Sequence, residues 1–175
     1  MVLDKINSPK DLKKLKREEL VELAADIRKA LLNRLTNYPK GGHVGPNFGV
    51  VEMTIALHYV FNSPIDKIVF DVSHQAYPHK ILTGRKDGFL YEDKFKTVNG
   101  YTDQDESEHD FFRVGHTSTS VSLATGLAKA RDLRGAKENI IALIGDGSLS
   151  GGLAYEGLSN AAEQGGNLII IANDN

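Results

Sequence analysis

The chain has 175 residues, 41% hydrophobic and 25% charged, an ordinary composition able to bury a core as one domain or as part of a larger protein. Its net charge of −2 argues against electrostatic capture of nucleic acid or of an anionic membrane, and the lack of cysteine removes disulfides and a thiolate nucleophile. The opening MVLDKINSPKDLKKLK has no signal-peptide apolar core and no apolar run approaches membrane-spanning length, so a cytoplasmic protein is expected.

A polar, lysine-rich lead-in opens at Ser8-Pro9, and Arg17 to Asn37 then reads as an amphipathic helix. Leu20, Leu23, Ile27, Leu31 and Leu35 recur at three- and four-residue spacing with charges between them. Pro39 and Gly41-Gly42 end it. The run Gly41 to Asn47 (GGHVGPN) is a glycine-rich turn carrying one histidine, His43, which such a loop can bring against a ligand. A second helix is expected from about Phe48 to Phe61, with His58 as a packing residue.

Asn62-Ser63-Pro64 breaks that helix, and Lys67 to Val72 (KIVFDV) reads as a short buried strand. His74 stands just past its carboxyl end, the rim where open α/β sheets bind ligands. His79 and Lys80 are placed in the following helix. Residues 85 to 113 are polar with little periodicity and read as a long loop, its acidic run Asp103 to Asp110 a solvated face. Gly115-His116-Thr117-Ser118-Thr119-Ser120 then opens a helix of small residues from Val121 to Ala130. Its Ser/Thr residues can cap it, and free amides there suit an anion.

The last stretch carries the chemistry. Ile140 to Ile144 is an apolar run that reads as a buried parallel strand, and it leads directly into Gly145-Asp146-Gly147. A Ser/Gly turn and a helical stretch follow, then a second apolar run, Leu168 to Ala172, that stops on Asn173-Asp174-Asn175. Strand, helix, strand is a βαβ unit with oxygen ligands at both carboxyl ends. A hard cation such as Mg²⁺ takes carboxylate, amide and carbonyl oxygens and pairs with phosphates. Asp146 would supply charge, Asn175 a neutral oxygen, and Gly145 and Gly147 a close backbone approach for a diphosphate. The next helix adds free N–H groups and a positive dipole end. GDG alone is weak; GDG with NDN some thirty residues on, each ending an apolar run, is the thiamine diphosphate motif.

These residues carry a resemblance to a known family. The segments GGHVGPNFGVVEMTIALHYVFNSP, KIVFDVSHQAYPHKILTGR, ESEHDFFRVGHTSTSVS and GDGSLSGGLAYEGLSNAAE…NDN resemble the amino-terminal part of the 1-deoxy-D-xylulose-5-phosphate synthases, thiamine diphosphate enzymes related to transketolase. The resemblance implies a three-layer α/β/α fold around a mostly parallel sheet, with residues 1–40 a helical lead-in and residues 41–175 the diphosphate-binding domain. It implies a transferase joining pyruvate to D-glyceraldehyde 3-phosphate with loss of CO₂, working as a homodimer with thiamine diphosphate and Mg²⁺. Asp146 and Asn175 would ligate the metal, Gly147 and Ser148 would touch the diphosphate, and Asn175 would bind the cofactor as well. His74, Gly115, His116 and Thr117 would contact the cofactor, and His43 and His74 would be catalytic, His43 facing substrate as a proton-transfer group.

Two departures bear on this. The family usually has Gly where Ser73 stands, and small or Ser residues at Gly45-Pro46. Family members are also several times longer. The pyrimidine-binding domain with its catalytic glutamate, and a third metal ligand, are therefore expected on a missing part or a partner chain. A transketolase-like amino-terminal subunit and a non-catalytic chain are the competing readings.

Overall fold

A computed structural model describes residues 1–174. Asn175, expected to bind both metal and cofactor, lies outside the described residues. The chain forms two compact units, Met1–Asn62 with His74–Gly100, and Ser63–Ser73 with Tyr101–Asn175.

The first unit is helical: α1 (Pro9–Leu12), α2 (Arg17–Asn37), α3 (Val44–Phe48), α4 (Val51–Val60), α5 (Tyr77–Lys80) and α6 (Asp87–Leu90). The long helix α2 spans the expected residues. It buries Leu23, Ile27 and Leu31 completely, each side chain contributing roughly 1.5–3 kcal/mol. Its polar face breaks pattern at Arg34, which is 3% exposed. That guanidinium donates to the carbonyls of Gly88 (3.1 Å) and Val98 (2.8 Å) and lies over the Phe89 ring at 4.7 Å. His58 and His79 are both fully buried, 2.9 Å apart through Nε2 and Nδ1, so His58 is indeed a packing residue.

Three expectations need correction here. The His43 turn is not all loop, because Val44 starts α3 with His43 at its N-cap. Pro46 falls in that first turn, where no intrahelical N–H is required. The second helix accordingly begins at Val51 rather than Phe48. Residues 85 to 113 also contain α6 and a 3-10 turn at Glu92–Thr97, too short to show a helical period. Burial of Phe89 and Phe95, and bonds from Asn33 Nδ2 to the carbonyls of Phe89 and Leu90, hold that segment in place.

The second unit is α/β. It contains β1 (Lys67–Phe70), α7 (Ser120–Leu133), β2 (Ile140–Gly145), α8 (Gly152–Gln164) and β3 (Ile169–Asn173). The sheet is wholly parallel in the order β1-β2-β3. Central β2 has Ile140 to Ile144 fully buried, which is why it reads as an unbroken apolar run. Val121, Ala124 and Ala128 of α7 share one core with Val69, Ile140, Ala142 and Ile144. At Gly157 of α8 a Cβ would lie 3.0 Å from the Ser122 backbone nitrogen of α7, so a larger residue there would require α7 to shift.

Strand β1 stops two residues earlier than expected, since Val72 (φ 55°) and Ser73 (φ 69°) turn left-handed. The start of α7 also differs. Thr119 at its N-cap makes no side-chain capping bond; instead Asp71, just past β1, accepts the amides of Ser118 and Ser120, both at 2.8 Å. Those amides are therefore not available to an outside anion. The acidic run is solvated only in its middle. Asp110 is 3% exposed and accepts the Asp103 amide at 2.9 Å, while Arg113 bonds Asp103 at 2.8 Å. Among the described residues no helix is long and apolar enough to cross a membrane.

Candidate cofactor site

Register builds the edge of the second unit's sheet. Gly145 pairs with Asn173, so the residues that leave β2 and β3 do so side by side at their carboxyl ends. Asp146 and Gly147 open a 3-10 turn, Asp146–Ser150, and both are exposed. A Cβ built on Gly145 or on Gly147 meets nothing within 4 Å, so the backbone there is open to close approach by a ligand. The 13-residue helix α8 starts immediately afterwards. Oxygen donors dominate this edge: the Asp146 carboxylate, the Asn173 amide and the exposed Asp174.

That donor set fits a hard divalent cation and a diphosphate better than a soft or redox metal. Among the described residues no three His, Cys, Asp or Glu side chains cluster as a self-sufficient metal site. A cation here would accordingly be completed by amide, carbonyl and phosphate oxygens.

The Gly115-His116-Thr117 segment lies in the same unit and is exposed throughout. His116 Nδ1 lies 3.1 Å from the Thr117 carbonyl, and the Thr119 hydroxyl donates to the His116 carbonyl at 3.1 Å. Gly115 and His116, with Arg113, Thr119, Ser122 and Leu153, line an open cavity of about 240 Å³. Hydrogen bonding to Asp103, reinforced by the charges of Asp103 and Asp105, raises the Arg113 pKa. The cavity rim thus carries a cation already matched by its own carboxylates.

His43 and His74 lie in the first unit, where their rings meet edge to face at 4.9 Å. Asn47 holds this pair. It is fully buried, donates from Nδ2 to the carbonyls of His43 (2.7 Å) and His74 (2.8 Å), and accepts the Tyr77 amide at 3.0 Å. His43 itself is exposed. Sequence reasoning missed two residues, Asn47 and Asp71. An asparagine in a GPN run and an aspartate just past a strand are too common to single out, and all their partners but the His43 carbonyl lie 27 to 49 residues away.

The second unit is therefore a parallel α/β fold with oxygen donors and open glycines at its carboxyl edge. The fold of the chain is transketolase-like: transketolase from Leishmania mexicana superposes with a TM-score of 0.66 over 89% of this chain and 27% of that one, at 20% identity. A family model described as 1-deoxy-D-xylulose-5-phosphate synthase matches residues 3–175, and the chain belongs to that family. Similar curated relatives are 1-deoxy-D-xylulose-5-phosphate synthase 1 of Geobacter metallireducens, 51% identical over 99% of this chain, and the synthase of Dictyoglomus thermophilum, 51% identical over 100%. The chain spans 28% of the length of each.

Proposed function

We propose that this chain is the part of a 1-deoxy-D-xylulose-5-phosphate synthase that binds the cofactor's diphosphate through Mg²⁺, within residues 41–175. The reaction served is pyruvate plus D-glyceraldehyde 3-phosphate to 1-deoxy-D-xylulose 5-phosphate and CO₂, in a cytoplasmic homodimer, with the remaining machinery on further sequence or a partner chain. Taken alone, the chain is expected to be inactive. The observation that carries the reading is the Gly145–Asn173 register, which sets the first residue of GDG beside the first of NDN in a member of this family.

When bound, thiamine diphosphate supplies the nucleophilic carbon and the electron sink that decarboxylation of a 2-oxo acid requires. The protein's part is to hold, orient and move protons. Asp146 and Asn175 would ligate Mg²⁺, with Gly147 and Ser148 against the diphosphate. His74, Gly115, His116 and Thr117 would touch the cofactor. His43, exposed beside His74, would exchange protons with substrate at its imidazole.

Calorimetric titration of thiamine diphosphate with Mg²⁺ into this chain tests the reading. Binding is expected, and Asp146→Ala is expected to weaken it at least about tenfold, by removing a charged ligand of the metal. Equal binding by the variant would sink the assignment of Asp146.

A further inference from the structure

Asp71 is assigned no role by the cofactor reading, yet it is 1% exposed and its two oxygens are fully engaged on one target. Oδ1 accepts the Ser118 amide and Oδ2 the Ser120 amide, each at 2.8 Å, across 47 and 49 residues. This carboxylate occupies the N-terminal end of α7, where the helix dipole favours negative charge. It also fixes the conformation of the residues before the helix. Ser118 stands at φ 68°, a left-handed backbone that a serine keeps only when its surroundings enforce it.

Ser118 extends the connection. Its hydroxyl donates to the Ser148 carbonyl at 2.7 Å, within the turn that follows GDG. Gly151 allows this: a Cβ added there would collide with the Ser118 hydroxyl and lie 2.8 Å from its Cβ. Ser150 closes the same turn by donating to the Gly147 carbonyl at 2.7 Å. One buried carboxylate therefore sets Ser118, and Ser118 braces the turn that carries Asp146, Gly147 and Ser148.

We infer that Asp71 is a positioning residue that couples the Gly115–Thr117 segment to the Gly145–Ser148 turn through Ser118, so that the two loops adopt their ligand-binding shape together. The inference deepens the cofactor reading and rests on it for the identity of the ligand. Without Asp71 each loop still exists, but neither braces the other.

The test uses Asp71→Asn, Ser118→Ala, their double variant and Gly151→Ala, in the full chain. An asparagine retains one acceptor oxygen and turns an NH₂ toward the second amide, so it breaks one bond with little change of volume. Two readouts are taken: the dissociation constant for thiamine diphosphate with Mg²⁺, and amide hydrogen exchange. Asp71→Asn is expected to weaken binding about tenfold, the equivalent of one hydrogen bond to a charged acceptor. Ser118→Ala and Gly151→Ala should each weaken it too, and the double variant should be little worse than Asp71→Asn, because both act through one connection.

Exchange should quicken at Ser118 and Ser120, and also in the Gly147–Ser150 turn that Asp71 does not touch, while Ala142 and Leu143 of β2 keep their protection. A merely structural aspartate would loosen β2 as well. Unchanged affinity in Asp71→Asn, or fully additive losses in the double variant, would overturn the coupling. If the unaltered chain binds no cofactor, the functional reading fails and exchange alone decides, quickening confined to Ser118 and Ser120 counting against the inference. Should Asp71→Asn not fold, Ser118→Ala and Gly151→Ala carry the same comparison with Asp71 intact.

Discussion

Single side chains with distant partners decide how the candidate residues are presented. Asn47 is the clearest in the helical unit, since one carboxamide fixes two histidine carbonyls and the start of α5. Asn47→Ala is expected to destabilise the chain by roughly 2–3 kcal/mol in urea unfolding, because one buried and two partly buried backbone groups lose that partner at once. It should also separate the His43 and His74 rings, seen as loss of their ring-to-ring nuclear Overhauser contact. A single charged residue likewise sets part of the acid response. The Lys14 ammonium, with the amides of Asn7 and Ser8 and the Ser8 hydroxyl, lowers Asp11 from 3.8 to about 2. A carboxyl depressed in the folded state stabilises it fully above its unfolded value and loses that contribution as pH falls toward the folded one. Stability should therefore decline between about pH 4 and pH 2, and Asp11→Asn should flatten that limb of the urea midpoint against pH. Ser73 shows why a departure from the family pattern is tolerated. Its φ of 69° favours glycine, but its hydroxyl accepts the Thr102 amide at 2.9 Å and donates to the Val114 carbonyl at 3.3 Å.

At the scale of elements, the sequence was legible where a repeating pattern met a continuous core. Helix α2 matched its predicted ends because five leucine and isoleucine positions repeat over 21 residues. Strands β2 and β3 followed from apolar runs, and their parallel pairing from the helix between them. What escaped was short or non-local. α6 and the Glu92–Thr97 turn hold Phe89 and Phe95 in the core with no period to announce them. The cap of α7 looked local, in its own Ser and Thr residues, and turned out to come from Asp71 beyond the end of another strand. The same distinction separates two helix glycines that look alike in sequence. Gly126 of α7 is exposed and a Cβ there meets nothing within 4 Å, so Gly126→Ala should stabilise by about 1 kcal/mol through helix propensity. Gly157→Ala should destabilise by roughly 1–3 kcal/mol, as the methyl is driven into the α7 backbone. Thermal unfolding of the pair, measured side by side, would refute this packing if both shifted upward.

At the scale of this whole chain taken by itself, low net charge and half-buried apolar residues on β3 act together. The isoelectric point is about 6.3. Ile169, Ile170 and Ile171 of edge strand β3 are only half-buried. An edge strand with apolar side chains is a template for pairing with another copy, and charge repulsion is weakest near the isoelectric point. Light scattering against pH is expected to peak close to 6.3 and to fall on either side, with Ile170→Lys lowering the maximum. A profile flat across that range would show that β3 is not the adhesive edge.

The interleaved layout of the two units also orders events in time. Strand β1 belongs with β2, where Lys67 pairs with Ile140, and Asp66 waits on Asn139, 73 residues further along. On the ribosome, at ~5–20 residues per second, KIVF would stand without its partner strand for about 4–15 seconds. During that interval Ile68, Val69 and Phe70, all buried in the finished fold, are open to any hydrophobic surface nearby. The helical unit cannot close early either, since Val98 belongs to its core. Ile68, Val69 and Phe70 thus stay unshielded by their own sheet until Ile140 to Ile144 emerge.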